Sequence, residues 1–259
     1  MARRLRLTIA YDGTAYHGWQ VQPGLETIQG RIEAVMGQIE GKAVNVTASG
    51  RTDAGVHALA QVAACDLENP IPAANLQKAL NRLLPADIRI LAVSEAAADF
   101  HPRFQAVAKT YEYRIWRGEV CPPFERQYVY HHPYVFGEQA FLDAAGVYRG
   151  VHDFSAFAAA DEKDALGASK VREVFSSEAW RSGEMLVYRV RGSGFLKHMV
   201  RNLVGGLMEV GRGNMTAADL AALLEPGCGR KLGHAVPARG LFLVSVEYPG
   251  EPATRGSGS

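Results

Sequence analysis

The hydrophobic pattern runs through one order of elements twice, and that repetition narrows the fold more than any other feature. Leu5, Leu7, Ile9 and Tyr11 alternate with Arg4, Arg6, Thr8 and Ala10, the period of a half-buried strand. Ile28, Ile32, Val35, Met36 and Ile39 then share one helical face, with Thr27 placed to cap the start and Gly41 just past the end. A short strand over 43–48, a loop over 49–57 and a strand over 58–67 follow. A second helix carries Leu76, Leu80 and Leu83 on one side and stops at Pro85, before a strand over 88–93. The order is βαββαβ, a ferredoxin-like unit.

The second half repeats it. A strand over 109–117 has Tyr111, Tyr113 and Ile115 on one face, and a helix over 141–147 follows. Strands over 171–177 and 186–191 come next, then a long helix from 195, a short one from 217 and a strand over 241–246. Thr216 with Asp219 three residues on reads as a capping box. The expected fold class is α+β: two ferredoxin-like units with antiparallel sheets, helices on one face, joined around a central cleft. The expected domains are 1–105, which carries the 49–57 loop, and 106–249, with a flexible tail over 250–259. The small, polar stretch 158–169 reads as a mobile or functional surface loop.

Composition excludes some classes. With 259 residues and 47% hydrophobic content the chain can build a sizeable core. Cys65, Cys121 and Cys228 are odd in number, far apart and without a Cys-x-x-Cys. That argues against a disulfide framework or a thiolate zinc site and fits a reducing cytoplasm. The basic N-terminus has no long apolar run, so neither a secretory signal nor a membrane span is expected. A net charge of +1 leaves a nucleic-acid partner to be decided by local distribution. No phosphate-cradling Gly-x-x-x-x-Gly-Lys-[Ser/Thr] is present, nor a Gly-x-Gly-x-x-Gly opening a helix after a strand.

Chemistry concentrates in Ser49-Gly50-Arg51-Thr52-Asp53-Ala54-Gly55-Val56-His57-Ala58, where Arg51, Asp53 and His57 sit among residues too small to cover them. Two readings stand at this point: a turn whose Thr52 and Asp53 satisfy backbone donors, or a segment presenting a carboxylate to something large. On the helix from 195, Leu196, Met199, Leu203 and Leu207 form the core stripe. Lys197, Arg201 and Gly205 fall on another row, four residues apart. Gly205 and Gly206 cost helix stability, about 1 kcal/mol each, and imply close backbone approach. Arg3, Arg4 and Arg6, then Arg189, Arg191, Lys197 and Arg201, give two basic clusters, and aromatic rings alternate with charges over 109–117. Guanidinium groups with flat rings suit RNA. A metal-dependent phosphohydrolase using Asp53, His57, His131, His132 or His152-Asp153 is the rival reading, and the ligand spacing does not favour it.

On these residues the chain resembles the tRNA pseudouridine synthase A family. The resemblance runs from Tyr11-Asp12-Gly13-Thr14 and Trp19-Gln20 to Ala238-Arg239-Gly240-Leu241-Phe242-Leu243. Its core is 50–58, with further blocks in Phe100-His101-Pro102-Arg103-Phe104, His152-Asp153-Phe154, 195–205 and Ala108-Lys109-Thr110-Tyr111-Glu112-Tyr113. Thr110 and Glu112 stand where more basic residues are expected, which lessens the RNA contact expected of that strand. The resemblance implies a cytoplasmic isomerase, a homodimer. It would convert uridine to pseudouridine in the tRNA anticodon stem-loop, at tRNA positions 38, 39 and 40, with no cofactor and no metal. It implies that Asp53 is the nucleophile, that Arg201 keeps it ionised across the cleft, and that Tyr111 lies against a flipped base. Arg51 would fill the vacated space and Lys197 would serve substrate binding. A catalytically silent RNA-binding module is the alternative, against which Asp53, Arg201 and Tyr111 together speak.

Overall fold

A computed structural model of the protein describes residues 2–160, 167–233 and 235–251. The middle of the 158–169 loop and the tail from 252 onward lie outside the described residues. Contacts divide the chain into two units, Met1–Val107 with Phe242–Ser259, and Ala108–Leu241.

The first unit follows the expected order: β1 (Arg3–Tyr11), α1 (Ile28–Glu40), β2 (Thr47–Ala48), β3 (His57–Leu67), α2 (Ala73–Leu83) and β4 (Ile88–Glu95). β1 lies between β4 and β3, antiparallel to both, and β2 pairs antiparallel with β3. Leu5, Leu7, Ile9 and Tyr11 are buried as the alternation requires, and Ile28, Ile32, Val35 and Met36 of α1 are buried with them. The α1 caps are those read from sequence: the Thr27 side chain accepts from Gly30 N–H, and Gly41 takes the left-handed conformation. Leu83 departs from the expected stripe and is 51% exposed. The helix ends there, and Leu84, already extended, turns into the core in its place.

The second unit contains β5 (Ala108–Trp116), β6 (Tyr130–His131), α3 (Glu138–Ala144), β7 (Gly150–Asp153), β8 (Val171–Ser182), β9 (Met185–Gly192), α4 (Met199–Gly211) and α5 (Ala217–Ala222). Its sheet runs β5–β9–β8–β7 in antiparallel pairs, with β6 parallel to β5. α3 begins three residues before the expected start and passes into a 3-10 turn over Ala145–Tyr148. His152 and Asp153 lie on β7, paired with Arg172 and Val171. The Thr216–Asp219 capping box is formed, both bonds present.

The last strand, β10 (Leu241–Glu247), closes the second half in chain order. From Phe242 on, however, the chain groups with the first unit, where Phe242 and Leu243 pair in parallel with His57 and Ala58 of β3. Long-range contacts put it there. The Phe242 ring stacks on His57 at 4.7 Å, and Tyr248, buried just beyond the strand, donates to the Pro102 carbonyl at 2.7 Å.

Candidate active site

The loop between β2 and β3 is held by its backbone and by its small polar side chains. Gln61, fully buried on β3, donates to the Gly50 carbonyl at 3.0 Å, and its other amide atom meets Ser49 Oγ at 2.6 Å. Thr52 Oγ1 lies 2.8 Å from the Tyr11 hydroxyl, and the Thr52 carbonyl accepts from Trp19 N–H at 3.0 Å. Gly18, with φ of 88°, passes so near that a Cβ there would sit 2.6 Å from the Thr52 oxygen. Asp53 itself opens a tight turn, its carbonyl accepting from Val56 N–H at 3.1 Å, with Gly55 in the left-handed region at φ 76°. The result is a fixed backbone with the Asp53 side chain part-exposed and Arg51 exposed.

His57 does not join them. It is the first residue of β3 and points inward, 1% exposed, against Phe242. Its Nδ1 lies 3.1 Å from both Gly13 N and Asp12 Oδ1. The Gly13 N–H donates to that nitrogen. Asp12 is held by Thr14, from N–H at 2.9 Å and from the hydroxyl at 2.5 Å.

In the second unit, Tyr111 on β5 is 8% exposed and meets the Phe195 ring edge-on at 5.1 Å. Lys197 is exposed, but it precedes the helix that was expected to carry it. His198 takes φ of 58°, alone among the described non-glycine residues in having a positive φ, so α4 starts at Met199 and Lys197 shares no helical row with Arg201. Arg201 lies on the first turn of α4, half-buried. Its Nε donates to the Val236 carbonyl at 2.7 Å, and Val236 N–H reaches back to the Arg201 carbonyl at 3.4 Å. One residue on, the Pro237 carbonyl accepts from the Tyr113 hydroxyl at 2.7 Å. Burial raises the Tyr113 phenol well above its ordinary pKa, against the pull of Arg201 and Arg239, so it stays a donor. Sequence reading missed this clasp; its one local signal is Tyr113 on the buried face of its strand. The close approach expected at Gly206 is present, since a Cβ there would meet the Tyr148 hydroxyl at 2.6 Å.

Several other candidates have structural partners. Glu112, nearly buried, accepts from Arg114 at 2.8 Å and from Arg189 at 2.6 Å. Arg189 also covers Trp180, and Arg191 covers Phe175. Arg3, Arg4 and Arg6 of β1 pair with Glu95, Asp66 and Glu251. Asp153 caps the 3-10 turn at Ser155, accepting from its N–H at 2.9 Å and its hydroxyl at 2.6 Å, and His152 reaches the Arg149 carbonyl at 2.9 Å. Among the described residues no three of His, Cys, Asp and Glu gather as they would around a metal ion. Nor is any helix there long and apolar enough to cross a membrane.

Residues 7–105 and 144–249 match the family described as tRNA pseudouridine synthase. The chain belongs to that family. It is 62% identical over 246 residues to the tRNA pseudouridine synthase A of Solibacter usitatus, covering 95% of this chain and 100% of that one. It is 42% identical over 252 residues to the protein of the same name from Geobacillus kaustophilus, covering 97% and 96%. With that of Anoxybacillus flavithermus it shares 43% over 248 residues, covering 95% and 99%. The family match takes in both the Asp53 loop and the Arg201 helix.

Proposed function

We propose that this protein isomerises uridine to pseudouridine in tRNA, at positions 38, 39 and 40 of the anticodon stem-loop, with Asp53 as catalytic nucleophile. The observation that carries the reading is the Asp53 turn: a part-exposed carboxylate on a backbone clamped from β1, β3 and the 13–18 segment, in a chain of this family. The reaction breaks the N1–C1′ bond, turns the base and rejoins it through C5. The C5 hydrogen leaves as a proton and N1 regains one. Nothing is oxidised and nothing is hydrolysed overall, so the balance requires no cofactor. A carboxylate serves by attacking the substrate or by removing a proton, and it must be ionised to do either. Arg201 is the guanidinium proposed to favour that form.

A uridine paired in a stem must leave the stack before it can react. Arg51, exposed two residues from Asp53, is proposed to enter the vacated space. Tyr111 would lie against the flipped base, and Lys197, exposed before α4, would meet a phosphate. Homodimer assembly and a cytoplasmic setting belong to the same reading.

The test is incubation with unmodified tRNA carrying tritium at uridine C5. Release of tritium to water reports the new C–C bond, and its absence over many turnovers would sink the proposal. Binding should also weaken steeply with salt despite the near-neutral net charge. Each phosphate neutralised contributes roughly −0.7 to −0.9 to the log–log slope. A slope near zero would mean that Arg51 and Lys197 meet no phosphates.

A further inference from the structure

The segment between β4 and β5 carries an aromatic ring that stands out in solvent. Phe104 is 77% exposed. Isolated exposed apolar residues are common, but this one stands on a braced turn. The Pro102 carbonyl is held by the buried Tyr248 hydroxyl at 2.7 Å, and the Phe100 carbonyl by Arg4 Nε at 3.0 Å. Beneath, the Arg6 guanidinium lies 4.6 Å from the Tyr248 ring centre and 5.6 Å from that of Phe100. Above, His101 Nδ1 accepts from the N–H groups of Arg103 at 3.2 Å and Phe104 at 3.3 Å, and the His101 carbonyl accepts from Gln105 N–H at 3.1 Å. The His101 ring lies 4.2 Å from that of Phe104, and the exposed Arg103 guanidinium lies 5.9 Å from the same ring. These bonds fix the backbone that presents the phenyl ring.

A fixed, solvent-facing ring, backed by a second ring and flanked by a cation, fits one ligand chemistry well. A nucleobase has a π-face for the ring, and its phosphate has the charge for the guanidinium. We propose that Phe104, with His101 behind it and Arg103 beside it, is a stacking platform for an unpaired base of the substrate RNA, with Arg103 on the adjoining phosphate. This rests on the reading that the chain acts on tRNA, but not on the assignment of Asp53. An apolar seat for a second copy of the chain is the competing occupant. Charge complementarity favours RNA, since the exposed Arg103 guanidinium beside the ring has a phosphate to meet there.

The experiment uses the full chain and a fluorescently labelled, unmodified tRNA transcript, with tritium release measured in parallel. Phe104→Ala should raise the tRNA Kd by about tenfold, within the range known for single base–aromatic stacks. KM should rise more than kcat falls. Phe104→Trp should restore affinity, and its indole fluorescence should be quenched when tRNA binds. Arg103→Gln should weaken binding and make the salt slope shallower by roughly one phosphate. Melting temperatures of all three should match the parent. Parental affinity in Phe104→Ala would overturn the platform. So would a loss of dimer mass in sedimentation with tRNA affinity retained. If tritium release fails in every protein while Phe104→Ala still loses affinity, the isomerase reading falls and the platform stands.

Discussion

Asp53→Asn is expected to cut tritium release by about four orders of magnitude or more, while tRNA Kd shifts by less than about threefold. The amide keeps the shape of the side chain but cannot carry the negative charge or act as the nucleophile. The clamps around it are the Tyr11–Thr52 contact at 2.8 Å, the Gln61 bond to the Gly50 carbonyl and the Asp53–Val56 backbone turn. None of these needs an ionised side chain at 53, so the loop should keep its form and the melting temperature should stay within a few degrees. Stopped reactions over long incubations with C5-tritiated tRNA measure the loss, and filter binding measures affinity. Release within about tenfold of the parent would remove Asp53 from the centre of the chemistry. A collapse of affinity would make it a binding residue instead.

What the sequence made legible is what local physics decides. The alternation from Leu5 to Tyr11, the Thr27 and Gly41 caps of α1 and the Thr216–Asp219 box need only neighbours a few residues away, and all are found in the structure. The departures depend on distant partners. Leu83 shares the period of Leu76, yet its place is taken by the residue that follows. Phe242 belongs with β3 because of His57, a residue far back in the chain. The run from Phe195 to His198 reads as helix because propensity carries no warning that His198 will turn left-handed. At the site the same division holds. Small neighbours announced an accessible Asp53. They misled at His57, which belongs to the strand and faces inward. The Val236 clasp on Arg201 and the Tyr113 bond that supports it join segments no pattern connects.

Arg201→Met is the second large effect, expected to lower kcat by about two to three orders of magnitude. Methionine keeps much of the apolar stem of arginine and removes the charge and all five donors. Two consequences separate. The first is structural: the Val236 carbonyl loses its 2.7 Å donor. A bond of that kind contributes about 1.5–3 kcal/mol, so the melting temperature should fall by roughly 5 °C. The second is chemical: the guanidinium proposed to serve the reacting carboxylate is gone, so kcat should fall by more than the lost bond alone explains. Arg201→Lys should recover part of kcat, because the charge is restored. It should not recover all of it. An ammonium is a point charge without the planar fork that meets a carboxylate with two bonds. Tyr113→Phe supplies the control. It removes the donor to Pro237 but leaves the guanidinium and its charge in place. A role for Arg201 in chemistry predicts a Tyr113→Phe loss of only about tenfold. Equal losses of kcat in Tyr113→Phe and Arg201→Met would instead make Arg201 a strut for the 236–240 turn. Full activity in Arg201→Met would end its assignment to the reaction altogether.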